Sequence, residues 1–241
     1  IMNLNDFLIP TGDVCRRPGP FDRIVLSSRV RLARNLQDSP FPGRANKSER
    51  QNLLQTMKPV IESLRSMKEG FSEELSKLKR LEKQILVERH LISRELASKS
   101  QGSAIVLSVD ETFCVMINEE DHLRMQAILP GLQIKEAWKS MNKMDTMLES
   151  KLPIAFSSDF GYLTACPTNL GTGIRVSAML HLPGLVMAEH MQQTITAVNK
   201  LGLAVRGLYG EGTEALGNVF QVSNQMTLGE SEIQIIERLN K

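Results

Sequence analysis

Arginines at positions 29, 31, 34, 89, 124, 175 and 206 fall at the ends of predicted strands or in polar, glycine-containing loops. Arginine stays charged at any physiological pH and presents a planar fork of donors matched to phosphate oxygens. One such residue is more often the partner of a surface carboxylate, a weak interaction. Several converging on one spot would instead neutralise a polyphosphate and hold its terminal phosphoryl group in line for transfer. Other devices for that task are missing from the chain. There is no glycine followed after four residues by Gly-Lys-Ser/Thr, the phosphate-binding loop, and no His-Arg-Asp with a following Asp-Phe-Gly. Gly210-Glu211-Gly212-Thr213-Glu214-Ala215 matches the relaxed dinucleotide fingerprint, with Glu232 about 20 residues beyond it. That fingerprint must open a helix, whereas Gly217-Asn218-Val219-Phe220-Gln221-Val222 returns to strand-like alternation.

The elements that must position these arginines can be read from local pattern. Pro10, Gly12, Pro18, Gly19 and Pro20 make residues 1–20 an extended arm. A short strand at 24–26 leads into the first arginines. After the break at Pro40 and Pro42, Asn46 with Glu49 three residues later is a capping-box pair that starts a helix running to about Met67. A second helix is expected over 71–81 and a strand over 84–87, before the polar Glu88-Arg89-His90. The β-branched runs of 104–117 form a hairpin turned at Asp110-Glu111. Ala137, Met141, Met144 and Met147 repeat at helical spacing within 134–152. Strands at 154–156 and 162–164 lead into the glycine-rich 166–175. A helix over 185–200, a strand through Val205, alternation at Phe220 and Val222, and a helix beginning near Glu230 complete the chain. Adjacent strands with irregularly placed helices indicate an α+β fold with a mainly antiparallel sheet, in one domain over 21–241.

Composition fits a folded globular domain: 41% of the 241 residues are hydrophobic and 23% charged. A net charge of +2 is too small to signal a nucleic-acid partner, so any functional positive charge must come from clustering. Cys15, Cys114 and Cys166 are odd in number and widely spaced, which suits a reducing cytoplasm and offers no protein metal site. No apolar stretch approaches membrane-spanning length, so no membrane contact is expected.

Four segments carry a resemblance. Ser27-Ser28-Arg29-Val30-Arg31, Asn118-Glu119-Glu120-Asp121-His122-Leu123-Arg124, Cys166-Pro167-Thr168-Asn169-Leu170-Gly171-Thr172-Gly173-Ile174-Arg175 and Arg206-Gly207 resemble, in order, the signatures of the phosphagen (guanidino) kinases. Within that family, Val87-Glu88-Arg89-His90-Leu91-Ile92-Ser93, Arg206-Gly207-Leu208-Tyr209-Gly210-Glu211-Gly212 and Val222-Ser223-Asn224-Gln225 are most similar to the bacterial protein-arginine kinases. The resemblance implies a glutamine-synthetase-like catalytic domain, an antiparallel sheet flanked by helices, that moves the γ-phosphoryl group of ATP to arginine side chains of proteins. A kinase of free arginine or another small guanidino compound, and a non-catalytic nucleotide-sensing adaptor, are the alternatives.

It also implies roles. ATP, with Mg²⁺ carried mainly on its phosphates, would be held by Arg29, Arg31, Arg124, Arg175 and Arg206, with Ser27, Ser28, Val30 and His90 beside them. Val176, Ser177, Ala178 and Met179, and Leu208, Tyr209, Gly210 and Glu211, would complete the nucleotide wall, while Gly171, Gly173 and Gly207 would allow close backbone approach. Glu120 and Glu211 would grip the acceptor guanidinium, Glu120 acting as the base. Glu119, Asp121 and His122 are left as support or as an exposed acidic turn, and Cys166 as a modulator of binding or redox sensitivity. Family members carry a small helical N-terminal domain or a C-terminal helical domain for dimerisation and phosphoarginine recognition, and both are expected to be absent here. Expected partners are proteins with accessible arginines, an activator protein and Clp chaperone-protease components of the stress response.

Overall fold

The computed structural model describes Phe7, Val14 and residues 17–209 and 215–240. Its centre is an eight-stranded sheet in the order β2-β3-β4-β5-β1-β8-β10-β9. The strands are β1 (Val25–Arg34), β2 (Phe71–Glu74), β3 (Ala104–Leu107), β4 (Phe113–Ile117), β5 (Leu123–Pro130), β8 (Ile174–His181), β9 (Leu203–Tyr209) and β10 (Ala215–Asn224). All neighbouring pairs are antiparallel. A separate two-stranded ribbon joins β6 (Phe156–Ser157) to β7 (Gly161–Tyr162). The α+β expectation and the antiparallel sheet are both borne out.

Period-two alternation divides the sheet into two unlike faces. Val30 and Leu32 of β1, Val115 and Ile117 of β4, Met125 and Ala127 of β5, and Ile174 and Val176 of β8 point to one side. There they meet helices α1 (Lys47–Glu62), α4 (Ile134–Glu149) and α7 (Glu232–Asn240) in the main core. At the β9–β10 edge, Val205 and Phe220 pack with Ile195 of α6 (Met191–Lys200), which follows the short α5 (Pro183–Met187). Each fully buried aliphatic side chain contributes about 1.5–3 kcal/mol, so this face anchors the fold. On the opposite side, Ile105, Leu107, Cys114 and Met116 are covered by α2 (Arg80–Glu88), α3 (Arg94–Ser98) and the buried Phe7, whose ring meets Phe71 edge-on at 5.4 Å. This cover reaches β5, where the Gln126 amide donates to the carbonyls of His90 and Leu91 at 3.0 Å each.

Several local expectations differ from the structure. The strand expected at 24–26 continues to Arg34, which puts its arginines inside the sheet rather than beyond it. Residues expected as a helix over 71–81 open as β2, because Phe71–Glu74 pairs along the free edge of β3. The strand expected over 84–87 is instead the middle of α2, started by Glu82 folding back onto the Lys79 N–H. The first helix stops at Glu62, and Arg65–Met67 forms a 3-10 turn. The helix expected over 185–200 is divided by Glu189, whose φ of 58° cannot continue it. Most of the expected arm lies outside the described residues, but Phe7 and Val14 are buried.

Candidate active site

On the second face of the sheet, beyond Gln126, the strands present arginines where apolar residues would otherwise stand. The Cα partners of Arg31 are Gln126 of β5 and Arg175 of β8, so Arg31 and Arg175 lie side by side. Arg29 pairs with Ser177, and Ala33 with Arg124 of β5. Arg206 of β9 pairs with Gln221 of β10, which in turn pairs with Met179. Arg29, Arg31, Arg124, Arg175 and Arg206 thus rise from four different strands on one side. Antiparallel pairing aligns them.

Neutral side chains orient two of them. Arg29 donates to Ser177 Oγ at 3.4 Å and to Gln221 Oε1 at 2.8 Å. Arg175 donates to Ser223 Oγ at 3.2 Å, while its Nε is buried with no partner. The Arg31 guanidinium makes no hydrogen bond or ion pair among the described residues. Burial first, and then Arg29, Arg124 and Arg175 around it, hold its pKa well below the usual arginine value. Arg175 is lowered likewise, by burial and then by Arg206 and Arg124.

Arg124 is bound differently. Glu119, wholly buried, forms an ion pair with it and also accepts from the Ser93 hydroxyl, while Lys99 donates to the Glu119 carbonyl. Burial would raise the Glu119 carboxyl, but Arg124 beside it, helped by Ser93 and Arg31, holds it below the ordinary range. Burial would lower Arg124, and Glu119 followed by Glu120 and Asp121 raises it overall. Glu120 behaves in the opposite way to its neighbour. It is partly exposed, makes no hydrogen bond or ion pair among the described residues, and is raised by burial and then by Asp121.

The turn itself is built from the rest of this segment. Asn118 enters it at φ 55° with its amide tied to the carbonyls of Arg50 and Gly102. Asp121 accepts from Asn35 at 2.6 Å and from the Ala165 N–H at 2.7 Å. His122 Nδ1 accepts from the Leu36 N–H, which places its proton on Nε2 facing the Pro40 carbonyl at 3.0 Å. The exposed acidic turn considered for Glu119 and Asp121 is therefore ruled out, since they are 0% and 2% exposed.

Other expected contacts divide by face. Ser27, His90, Ser177 and Met179 line one narrow cleft with Arg29 and Gln221. Ser28, Val30, Val176 and Ala178 alternate to the other side. Ser28 donates to the Gly131 carbonyl and accepts from the Gln133 N–H, and Val30 and Val176 belong to the helix-side core. Gly171 and Gly173 are needed for approach to the protein's own backbone. A Cβ on Gly173 would lie 2.7 Å from the Ala33 carbonyl oxygen, and one on Gly171 2.6 Å from that of Thr227. Gly207 sits in β9 opposite Phe220, and Leu208 and Tyr209 continue that strand, while Gly210 and Glu211 lie outside the described residues. Arg34 lies outside the cluster, and Arg89 lines the cleft beside Arg29 and His90 but is already ion-paired. Arg34 forks onto Asp145 under the Tyr162 ring, and Arg89 forks onto Glu111. Cys166 contacts the Thr168 hydroxyl at 3.0 Å. Gln221 and Ser223 were missed as arginine holders. The alternation of Phe220 and Val222 marked them as facing away from the core, but register across two strands was needed to bring them to Arg29 and Arg175.

Residues 52–241 match the family model described as ATP:guanido phosphotransferase, C-terminal catalytic domain. The chain is 53% identical over 224 residues to a protein-arginine kinase of Pelotomaculum thermopropionicum, covering 92% of this chain and 63% of that one. It is 49% identical over 225 residues to a protein-arginine kinase of Moorella thermoacetica, covering 92% and 64%. It therefore spans less than two thirds of the length of these curated relatives. The duplicated taurocyamine kinase of Schistosoma mansoni with bound transition-state-analogue components superposes with a TM-score of 0.80 at 27% identity, over 99% of this chain and 34% of that one. A crystal structure of lombricine kinase does so with a TM-score of 0.77 at 27% identity, over 95% and 67%.

Proposed function

The chain belongs to the ATP:guanido phosphotransferase family, and from that premise we propose that it transfers the γ-phosphoryl group of ATP to the guanidinium of arginine residues in proteins. The observation that carries the reading is the donor set on the second sheet face: an arginine cluster in which Arg31 has no polar partner among the described residues and Arg175 Nε is buried unpaired. Such donors suit a polyanion, since buried cations are costly until paired. Arg29, Arg31, Arg124, Arg175 and Arg206 would hold the phosphates, with Ser27, Ser177, Met179 and His90 lining the adjoining cleft. Mg²⁺ would arrive on the phosphates and neutralise charge as the phosphoryl group moves. Among the described residues no group of three or more His, Cys, Asp or Glu side chains could hold an ion by itself.

The protein's own chemistry falls to Glu120. An acceptor guanidinium, with a pKa of about 12 or above, is a poor nucleophile until a nitrogen sheds its proton. An ionised Glu120 would orient that nitrogen and take the proton as the N–P bond forms. Its raised pKa makes it a stronger base than an ordinary glutamate. Glu119 cannot share the task, because its charge is committed to Arg124. Glu211 is proposed as the second clamp. Most of the acceleration would come from alignment and charge neutralisation, given the loose transition state of phosphoryl transfer.

Protein-borne arginine is favoured as acceptor by the relatives near 50% identity that bear that name. The likeness to taurocyamine and lombricine kinases favours the alternative, a small guanidino compound. Among the described residues no helix is long and apolar enough to cross a membrane, and a cytoplasmic location is part of the proposal. Partnership with an activator protein and Clp components rests on family resemblance. The deciding experiment supplies ATP with free arginine or with an unfolded arginine-rich protein and assays acid-labile phosphate on each. Phosphate on the protein is expected, and phosphate on free arginine alone would overturn the reading.

A further inference from the structure

Away from the arginine face, two open clefts meet at the exposed Ser98, the last residue of α3. One is bounded by Lys47 and Arg50 of α1 together with Lys99, and the other by Arg80 and Lys83 of α2 over Leu78. Their volumes of about 290 and 350 Å³ suit a short extended peptide better than a single ion. Among the described residues no carboxylate lines either cleft. Glu49 and Glu82, in the first turns of α1 and α2, are folded back onto the N–H groups of Asn46 and Lys79. Glu95 stands 3.5 Å from Lys99.

This cationic track leads to the proposed acceptor site. The Lys83 ammonium donates to the Lys99 carbonyl at 2.6 Å, and the Lys99 ammonium donates to the carbonyl of Glu119, next to Glu120 in the chain. We propose that the track binds acidic residues flanking the acceptor arginine, so that the protein selects arginines in acidic sequence contexts. The inference rests on the protein-arginine reading above and specifies its substrate class. In this reading the neighbours of an arginine presented to Glu120 run past α3, reached through Lys99, and there Lys47, Arg50, Arg80, Lys83 and Lys99 would attract aspartate or glutamate and repel lysine. Exposed charges of this kind act mainly on selection and encounter.

The test uses three peptides with one central arginine flanked on both sides by Asp, Ser or Lys, and compares kcat/KM for the unaltered chain and a Lys47→Glu/Arg80→Glu double variant. Both positions are the first residues of their helices and are exposed, where a glutamate is favoured by the helix dipole, so the fold should persist. The unaltered chain is expected to prefer Asp over Ser, and Ser over Lys, by about three- to tenfold per step, the size of two or three exposed charge pairs. The double variant should lose or reverse that order at an unchanged rate on the Ser peptide. Equal rates on the Asp and Ser peptides, or an unchanged order in the variant, would sink the track alone. Phosphorylation of free arginine with none of the peptides would remove the protein-arginine reading and this inference with it.

Discussion

Glu119 and Glu120 are adjacent, yet their carboxyls are shifted in opposite directions, which suits the separate roles proposed for them. The Glu119 pKa is depressed, so its contribution to stability is present above the unfolded glutamate value of about 4.3 and is lost as pH falls through the lower folded value. Glu119→Gln leaves Arg124 partly buried without its counter-charge, and should cost about 3 kcal/mol in denaturant titration at neutral pH, a penalty that shrinks in acid. Glu120 is raised, so its ionised form costs stability once pH climbs through its folded pKa. Glu120→Gln should therefore leave the neutral-pH melting temperature unchanged or higher. The same variant should lower kcat by about 10²- to 10⁴-fold while retaining nucleotide binding; unchanged turnover would reject Glu120 as the base. In the unaltered chain the acid limb of the kcat/KM profile should lie above the ordinary carboxylate range, and should disappear in Glu120→Gln.

Single elements explain why the arginines converge. β1 contributes to both faces, and Ser28 closes hydrogen bonds at the turn from β5 into α4 while Arg29 beside it faces away. Ser28→Ala should lower stability by about 1–3 kcal/mol, the cost of leaving buried polar groups unpaired, with no change in KM for ATP. A large rise in that KM would return Ser28 to the nucleotide site. The segment 166–173 sets the start of β8 and hence Arg175. It is fixed by Thr227, whose hydroxyl bonds the Thr168 and Leu170 carbonyls, and by Arg34, which donates to the Thr172 carbonyl. Gly173→Ala would combine a φ of 63° with a Cβ driven into rigid backbone. A loss of about 1–3 kcal/mol is expected, with weakened nucleotide binding as Arg175 shifts. Element type was legible in sequence where periodicity ran long, as in α4 with Ala137, Met141 and Met144. It failed at Phe71–Glu74 and at 84–87, segments too short to show a period, where an edge pairing or a capping glutamate decided.

At the scale of the whole molecule, motif order was enough to name the arginines, but local sequence could not show how they meet. Arg29 and Gln221 are 192 positions apart and touch only because β1, β8 and β10 are neighbours, which no local signal reports. Arg34 looked like a cluster member by residue type and was removed by its buried partner Asp145, whereas Arg89 does line the cleft, with its charge matched by the buried Glu111. The two-faced sheet also ties stability to solution conditions. Its helix side is sealed by apolar packing, whereas its other side crowds guanidinium groups, and the lowered pKa values of Arg31 and Arg175 record burial first and mutual repulsion second. Pyrophosphate or ATP should stabilise the fold by about 2.7 kcal/mol at a hundredfold excess over Kd, seen as a higher melting temperature, and added salt should blunt the effect. If ATP binds as proposed, a full nucleotide pool would brace the chain against opening and a depleted one would leave it more open to cleavage, a difference that limited proteolysis with and without ATP would measure.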